Sequence, residues 1–168
     1  NFDIDRSYVN VRSKLDGGIR SRITLDVDGR RAASNQLSIR LKYAYAAWTP
    51  NGSSLTWKLG LQPTPFLGWE DEMWGYRVQG SSPLDRTKYM STSDFGAAVE
   101  GAWKDDGVNL DLGIFNGETY SGAPGDNHKD VAGRLSVRLL KTDDATDLGG
   151  LRFTGFALVG KANGGADR

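Results

Sequence analysis

The chain has 168 residues, with 21 Lys+Arg against 21 Asp+Glu for a net charge of zero, 38% hydrophobic residues and no cysteine. Zero net charge removes any bulk electrostatic case for nucleic acid or an anionic membrane surface as partner, and the lack of Cys excludes disulfides and thiolate metal sites. Mean hydropathy is −0.48, and no stretch approaches the roughly 18 apolar residues of a membrane-spanning helix.

The chain opens on Asn1-Phe2-Asp3-Ile4 with no secretory leader in front, so either a cleaved segment or an internal piece of a longer chain is expected. The first predicted strand covers residues 2–13. Its alternation is imperfect: Phe2, Ile4 and Tyr8 share one phase, Val9 and Val11 the other, and a bulge near Tyr8 would reconcile them. The second, residues 19–28, is the clearest. Ile19, Ile23, Leu25 and Val27 point one way, and Arg20, Arg22, Thr24, Asp26 and Asp28 the other. The third, residues 37–48, puts Leu37, Ile39, Leu41, Tyr43, Tyr45 and Ala47 on the apolar side, with Arg40, Lys42 and Trp48 among the opposite set. The fourth, residues 54–62, has Leu55, Trp57, Leu59 and Leu61 out, and Thr56, Lys58, Gly60 and Gln62 in.

The fifth strand, residues 94–103, sets Phe95, Ala97, Val99 and Trp103 against Glu100. The sixth, residues 108–115, sets Val108, Leu110, Leu112 and Ile114 against Asn109 and Asp111. The seventh, residues 131–139, sets Val131, Leu135, Val137 and Leu139 against Arg134, Ser136 and Arg138. In the eighth, residues 151–160, Leu151, Phe153, Ala157 and Val159 oppose Arg152 and Thr154, but Phe156 and Leu158 fall on the polar side. Helical spacing is supported nowhere over a comparable length. One alternating strand would be an ordinary half-buried element. Recurrence in segments of about ten residues is the signature of an antiparallel transmembrane β-barrel, with an outer face toward lipid and an inner face toward water.

The connections are residues 14–18, 29–36, 49–53, 63–93, 104–107, 116–130 and 140–150, and short links alternate with long ones. Outer-membrane barrels have short periplasmic turns and longer external loops. On that rule 14–18, 49–53 and 104–107 are periplasmic, while 29–36, 63–93 and 116–130 are external. The first strand then runs inward and the eighth ends outside, and residues 162–168 make no strand. A partial chain of a larger barrel is therefore expected, because single-chain bacterial barrels have even strand numbers, their termini are taken as periplasmic, and both ends of this chain would lie on the opposite side. Tyr43, Tyr45, Trp57, Trp103 and Phe153 are assigned to the lipid face, since Trp and Tyr favour the bilayer interfaces. A soluble β-sandwich or ligand-binding β-barrel with an aromatic core is the alternative. It sits less well with a polar face so rich in arginine.

Several segments carry a resemblance. They are Phe2-Asp3-Ile4-Asp5-Arg6-Ser7-Tyr8, Ile23-Thr24-Leu25-Asp26, and Lys58-Leu59-Gly60-Leu61-Gln62-Pro63-Thr64-Pro65-Phe66. Ser93-Asp94-Phe95-Gly96-Ala97-Ala98-Val99-Glu100-Gly101 and Leu112-Gly113-Ile114-Phe115-Asn116-Gly117 complete the set. In this order they span most of the chain, which resembles Gram-negative porins of the phosphate-selective porin O/P type. The resemblance implies an outer-membrane, homotrimeric channel of about 16 to 18 strands, of which this chain would be about half. Phosphate selectivity does not carry over, because the arginine and lysine arrangement behind it has no residue-by-residue match here.

Alternation assigns Arg20, Arg22, Arg40, Lys42, Lys58, Arg134, Arg138 and Arg152 to the pore lining, against Asp26, Asp28, Glu100 and Asp111. Cations outnumber acids, and Arg/Lys on a pore wall favour anions. The competing explanation is structural: cross-strand pairs of opposite charge that stiffen the wall. Residues 63–93 are too long for a plain connection. This segment carries Trp69, Glu70, Asp71, Glu72, Trp74, Tyr76, Arg77, Asp85, Arg86 and Lys88. A constriction loop folded into the lumen is expected, with an external lid or a short hairpin at residues 74–79 as the alternatives. His128 is the only histidine. No transition-metal site, cofactor or nucleophile–base pair can be assembled around it. Asp126 and Asp130 fit a solvated loop better than a Ca²⁺ site, and Asp26-Val27-Asp28-Gly29 fails calcium-loop spacing. No phosphate-binding or dinucleotide fingerprint is present, so an enzyme is not expected. The expectation is a porin passing small hydrophilic solutes and ions across the bacterial outer membrane. A structural or scaffold barrel of an envelope complex is the runner-up.

Overall fold

A computed structural model of the protein describes residues 6–28, 37–73, 84, 90–118, 128–141 and 150–160. Eight strands are present among them: β1 (Arg6–Lys14), β2 (Ile19–Asp28), β3 (Ser38–Trp48), β4 (Leu55–Pro63), β5 (Ser93–Trp103), β6 (Val108–Phe115), β7 (Asp130–Lys141) and β8 (Gly150–Val159). They form one antiparallel meander in the order β1-β2-β3-β4-β5-β6-β7-β8. Each strand pairs with its sequence neighbours, and no ladder joins β1 to β8, so the described sheet is not closed by hydrogen bonds.

Register follows the period-two pattern of the sequence, since residues directly opposite share a face. The pairs Val9↔Leu25, Val11↔Ile23, Trp48↔Trp57, Val99↔Leu112, Leu135↔Gly155 and Val137↔Phe153 build the apolar face. That face is open: Leu59 and Val159 are 69% exposed and Ile39 is 65% exposed. The opposite face is polar, and much of it is buried: Thr24, Asp26, Lys42, Gln62, Asn109, Asp111, Arg134 and Ser136.

Two register shifts correct the simple alternation. Thr24 faces Tyr43 while Leu25 faces Leu41, so Lys42 is the extra residue of a β-bulge in β3. Past the bulge the phase inverts, and Tyr43, Tyr45 and Ala47 join the polar face while Trp48 joins the apolar one, opposite Ile19 and Trp57. The lipid-side assignment of Tyr43 and Tyr45 is thus overturned, as is the inward placing of Trp48. No bulge occurs near Tyr8, where β1 pairs continuously with β2 and Tyr8 lies on the polar face opposite Asp26. The second shift, between Arg138 and Leu140, leaves Leu139 and Leu140 both exposed.

The three short turns lie at one end of the sheet and touch their neighbours. Thr49 N donates to Gly18 O at 3.0 Å, an approach that only a residue without Cβ permits, because a Cβ on Gly18 would stand 2.0 Å from the Thr49 oxygen. The third turn runs Lys104, Asp105 and Asp106 through positive φ (55, 50 and 62), a rare conformation for three consecutive non-glycine residues. Its carbonyls face β7 and β8. Asp105 O accepts from Arg138 Nη2, and Asp106 O accepts from Arg152 Nη2 at 3.0 Å.

Residues 63–93 contain a feature that strand periodicity had not disclosed, a short helix α1 (Leu67–Met73). It lies against the polar face. Phe66, just before it, packs on Phe156 with ring centroids 4.9 Å apart, and beside it a small apolar cluster joins Ala98, Phe115 and Ala132 to Phe156 and Leu158. Phe156 and Leu158, misfits in the eighth strand's alternation, are thus the floor on which this segment sits.

Candidate functional site

The polar face is the candidate site, and ion pairs and hydrogen bonds between neighbouring strands hold it in place. At the β1 side, Arg22 Nη2 donates to Asn10 Oδ1 at 3.1 Å and its Nε to Thr24 Oγ1 at 3.0 Å. Arg40 bridges fully buried Asp26 at 3.5 Å, matching their direct opposition in register. Lys42 Nζ donates to Tyr8 Oη at 3.2 Å. Arg20 donates to Thr49 and lies near Thr56. Further round, Lys58 pairs with Glu100. Arg134 donates to Asn109 and to the Pro65 carbonyl. Arg152 bonds Ser136 and bridges Asp106 at 3.0 Å. These contacts run across the strands and hold many of the arginines in fixed positions.

Aromatic rings carry several of these cations. The Arg22 guanidinium sits 4.6 Å from the Tyr43 ring centroid, Lys42 5.5 Å from the same ring, and Lys58 5.7 Å from Tyr45. Arg134 lies 5.6 Å from Trp69 on α1. The tyrosines assigned from sequence to lipid therefore support the charged face.

Among the described residues, clefts open on this face. One, of about 620 Å³, lies beneath α1 between Arg22, Tyr43, Tyr45, Lys58, Glu100, Asp111 and Arg134, with Trp69 and Asp71 from the helix above. Another, of about 420 Å³, adjoins the short-turn end and is lined by Arg12, Lys14, Arg20, Arg22, Tyr45, Lys58 and Glu100.

Arg20, Arg22, Asp26, Arg40, Lys58, Glu100, Asp111, Arg134, Arg138 and Arg152 are brought to one face by the register, and Lys42 reaches that face from the bulge through its bond to Tyr8. The side chain of Asp28 lies outside the described residues. Glu70 and Asp71 stand on α1 over that face. The side chain of Glu72, together with Arg77, Arg86, Lys88 and the hairpin alternative at 74–79, lies outside the described residues. Trp57, Trp103 and Phe153 occupy the apolar face as expected from alternation. Sequence reasoning missed Tyr8, Arg12 and Lys14. The strict phase of Val9 and Val11 would have placed all three on the polar face. Among the described residues no group of three or more His, Asp or Glu is arranged to hold a metal ion.

Neither a family model, nor a curated protein, nor a solved structure matches this chain.

Proposed function

We propose that this chain forms part of the wall of an outer-membrane β-barrel porin, a water-filled channel for passive diffusion of small hydrophilic solutes and ions. The observation that carries the reading is the inversion of surfaces. Leu59, Val159, Ile39 and Phe153 are 60% exposed or more, while Asp26, Gln62 and Ser136 are 0% exposed. In water, an apolar face spread over eight strands is unfavourable for a monomer. In a bilayer it is the required outer surface.

Two further observations support it. Trp48, Trp57 and Trp103 lie on the apolar face near the short-turn end, where an interfacial aromatic girdle belongs. Strands of 8 to 12 residues match the length of tilted spanning strands. In this reading the edges of β1 and β8 pair with further strands in a closed barrel, the short turns face the periplasm, and α1 narrows the lumen. The porin O/P-like family, the homotrimer and a preference for anions belong to the same proposal. Among the described residues no helix is long and apolar enough to cross a membrane.

The test is single-channel conductance of the full-length protein in a planar bilayer under a salt gradient. Stable conductance steps are the expected result, with a reversal potential of anionic sign. A cationic sign overturns the anion preference, and silence from a correctly folded barrel overturns the channel. One observation favours a second reading, a scaffold barrel with an occluded lumen: Phe66, Phe115, Phe156 and Leu158 fill part of the polar face with apolar side chains.

A further inference from the structure

We infer that the cleft beneath α1 is a binding subsite for dipolar solutes of amino-acid to dipeptide size, with a carboxylate at one end and an ammonium at the other. The inference deepens the channel reading and rests on it for how the solute arrives. The cleft's volume of about 620 Å³ falls among those of small-molecule sites. Arg22 and Lys58 stand on its β2–β4 side, Glu100 and Asp111 on its β5–β6 side, and Asp71 above.

The acidic side presents an unmet demand. Glu100 and Asp111 lie directly opposite each other in register, which sets two carboxylates side by side. Lys58 bonds Glu100, but Asp111 Oδ1 is buried with no hydrogen-bond partner among the described residues, on a side chain 6% exposed. A buried acceptor of that kind calls for a donor. The adjoining cleft toward the short turns adds positive charge: there Arg12 faces Arg22 and Lys14 faces Arg20, like charges in direct cross-strand opposition. Among the described residues Glu100 is the one acid that lines that cleft with them.

A simple anion entering the larger cleft meets Asp71, Glu100 and Asp111. A simple cation there meets Arg22, Lys58 and Arg134. A solute bearing both charges answers both sides at once, which is how a site of mixed sign discriminates against either monopole. Tyr43 and Tyr45 already carry Arg22, Lys42 and Lys58 near their rings. They therefore orient cations rather than offer open platforms for a sugar.

Glycylglycine, N-acetylglycine and glycinamide are probes of related size that are dipolar, anionic and cationic at neutral pH. Their binding to the folded, detergent-solubilised full-length protein is measured by equilibrium dialysis at low salt. Glycylglycine is expected to bind about tenfold more tightly than either monopole, a modest difference in binding free energy. Asp111→Asn removes its advantage over N-acetylglycine, and Arg22→Gln removes its advantage over glycinamide. Equal binding of the three probes, or tightest binding of a monopole, overturns the inference. The wild-type ranking decides alone if a variant does not fold. Conductance is recorded separately: silence with the ranking intact removes the channel and keeps the subsite, and an open channel with a flat ranking removes only the subsite.

Discussion

Arg134 and Pro65 are 69 residues apart in sequence, and Arg134 Nε donates to the Pro65 carbonyl at 2.7 Å. This bond ties β7 to the segment that enters α1, and a second bond from the same guanidinium reaches Asn109 on β6. One side chain thus fixes the helix over the polar face. Its ring neighbour Trp69 and the Phe66–Phe156 contact share that work.

Replacing Arg134 with Gln should free the segment. The variant loses charge-assisted hydrogen bonds from a side chain 8% exposed, at a cost of about 2 kcal/mol. Denaturant unfolding of the protein refolded in detergent reads that cost. Single-channel conductance should rise in the same variant if α1 narrows the lumen. A conductance equal to wild type would show that α1 does not set the limit.

Leu59 stands at the middle of β4 and is 69% exposed. On a water-facing sheet, Leu59→Arg would be close to neutral, because surface substitutions away from special features shift stability by about 0.5 kcal/mol or less. On a lipid-facing wall near the bilayer midplane it should cost about 2–4 kcal/mol. Comparing unfolding of the two proteins in lipid vesicles distinguishes these cases. Equal stability would remove the membrane reading of the apolar face.

Trp57 and Trp69 lie on opposite faces, the first 52% exposed beside Trp48 and the second on α1 against Arg134. In single-tryptophan variants reconstituted into vesicles, brominated lipids should quench Trp57 strongly and leave Trp69 nearly unchanged. Quenching of Trp57 should be greatest with bromines placed near the headgroup end of the acyl chain, as its position near the short turns requires. Comparable quenching of both residues would contradict the assignment of faces.

Much of the sheet was legible in the chain because a strand has one simple rule, a change of face at every residue. Ile19 to Asp28 follows it with Ser21 alone as a polar residue in the apolar phase, and the structure reproduces that strand with the same bounds. Where the rule failed, the cause was a local exception with weak sequence signal. From Tyr43 to Trp48 the residues are Tyr-Ala-Tyr-Ala-Ala-Trp, with no charge to mark the phase, so the bulge at Lys42 was invisible. Gly60 is a trace of that correction: it faces Tyr45 at φ +121, and a Cβ there would stand 2.4 Å from the Ala44 oxygen. In β1 two short phases competed, and only the ladder to β2 chose between them.

Alternation alone determined the strand class, the antiparallel meander and which face carries charge, because these follow from local backbone geometry and the shortness of the turns. It also brought Arg134, Asp111, Glu100 and Lys58 to one side before any contact was known. The tertiary structure decided what that side does with them. Opposition of Glu100 and Asp111, the seating of Phe66 on Phe156 and the reach of Arg134 to Pro65 depend on register and on a chain segment returning from far away in sequence. Periodicity holds no record of such contacts, since it reports the face of each residue and not its partner.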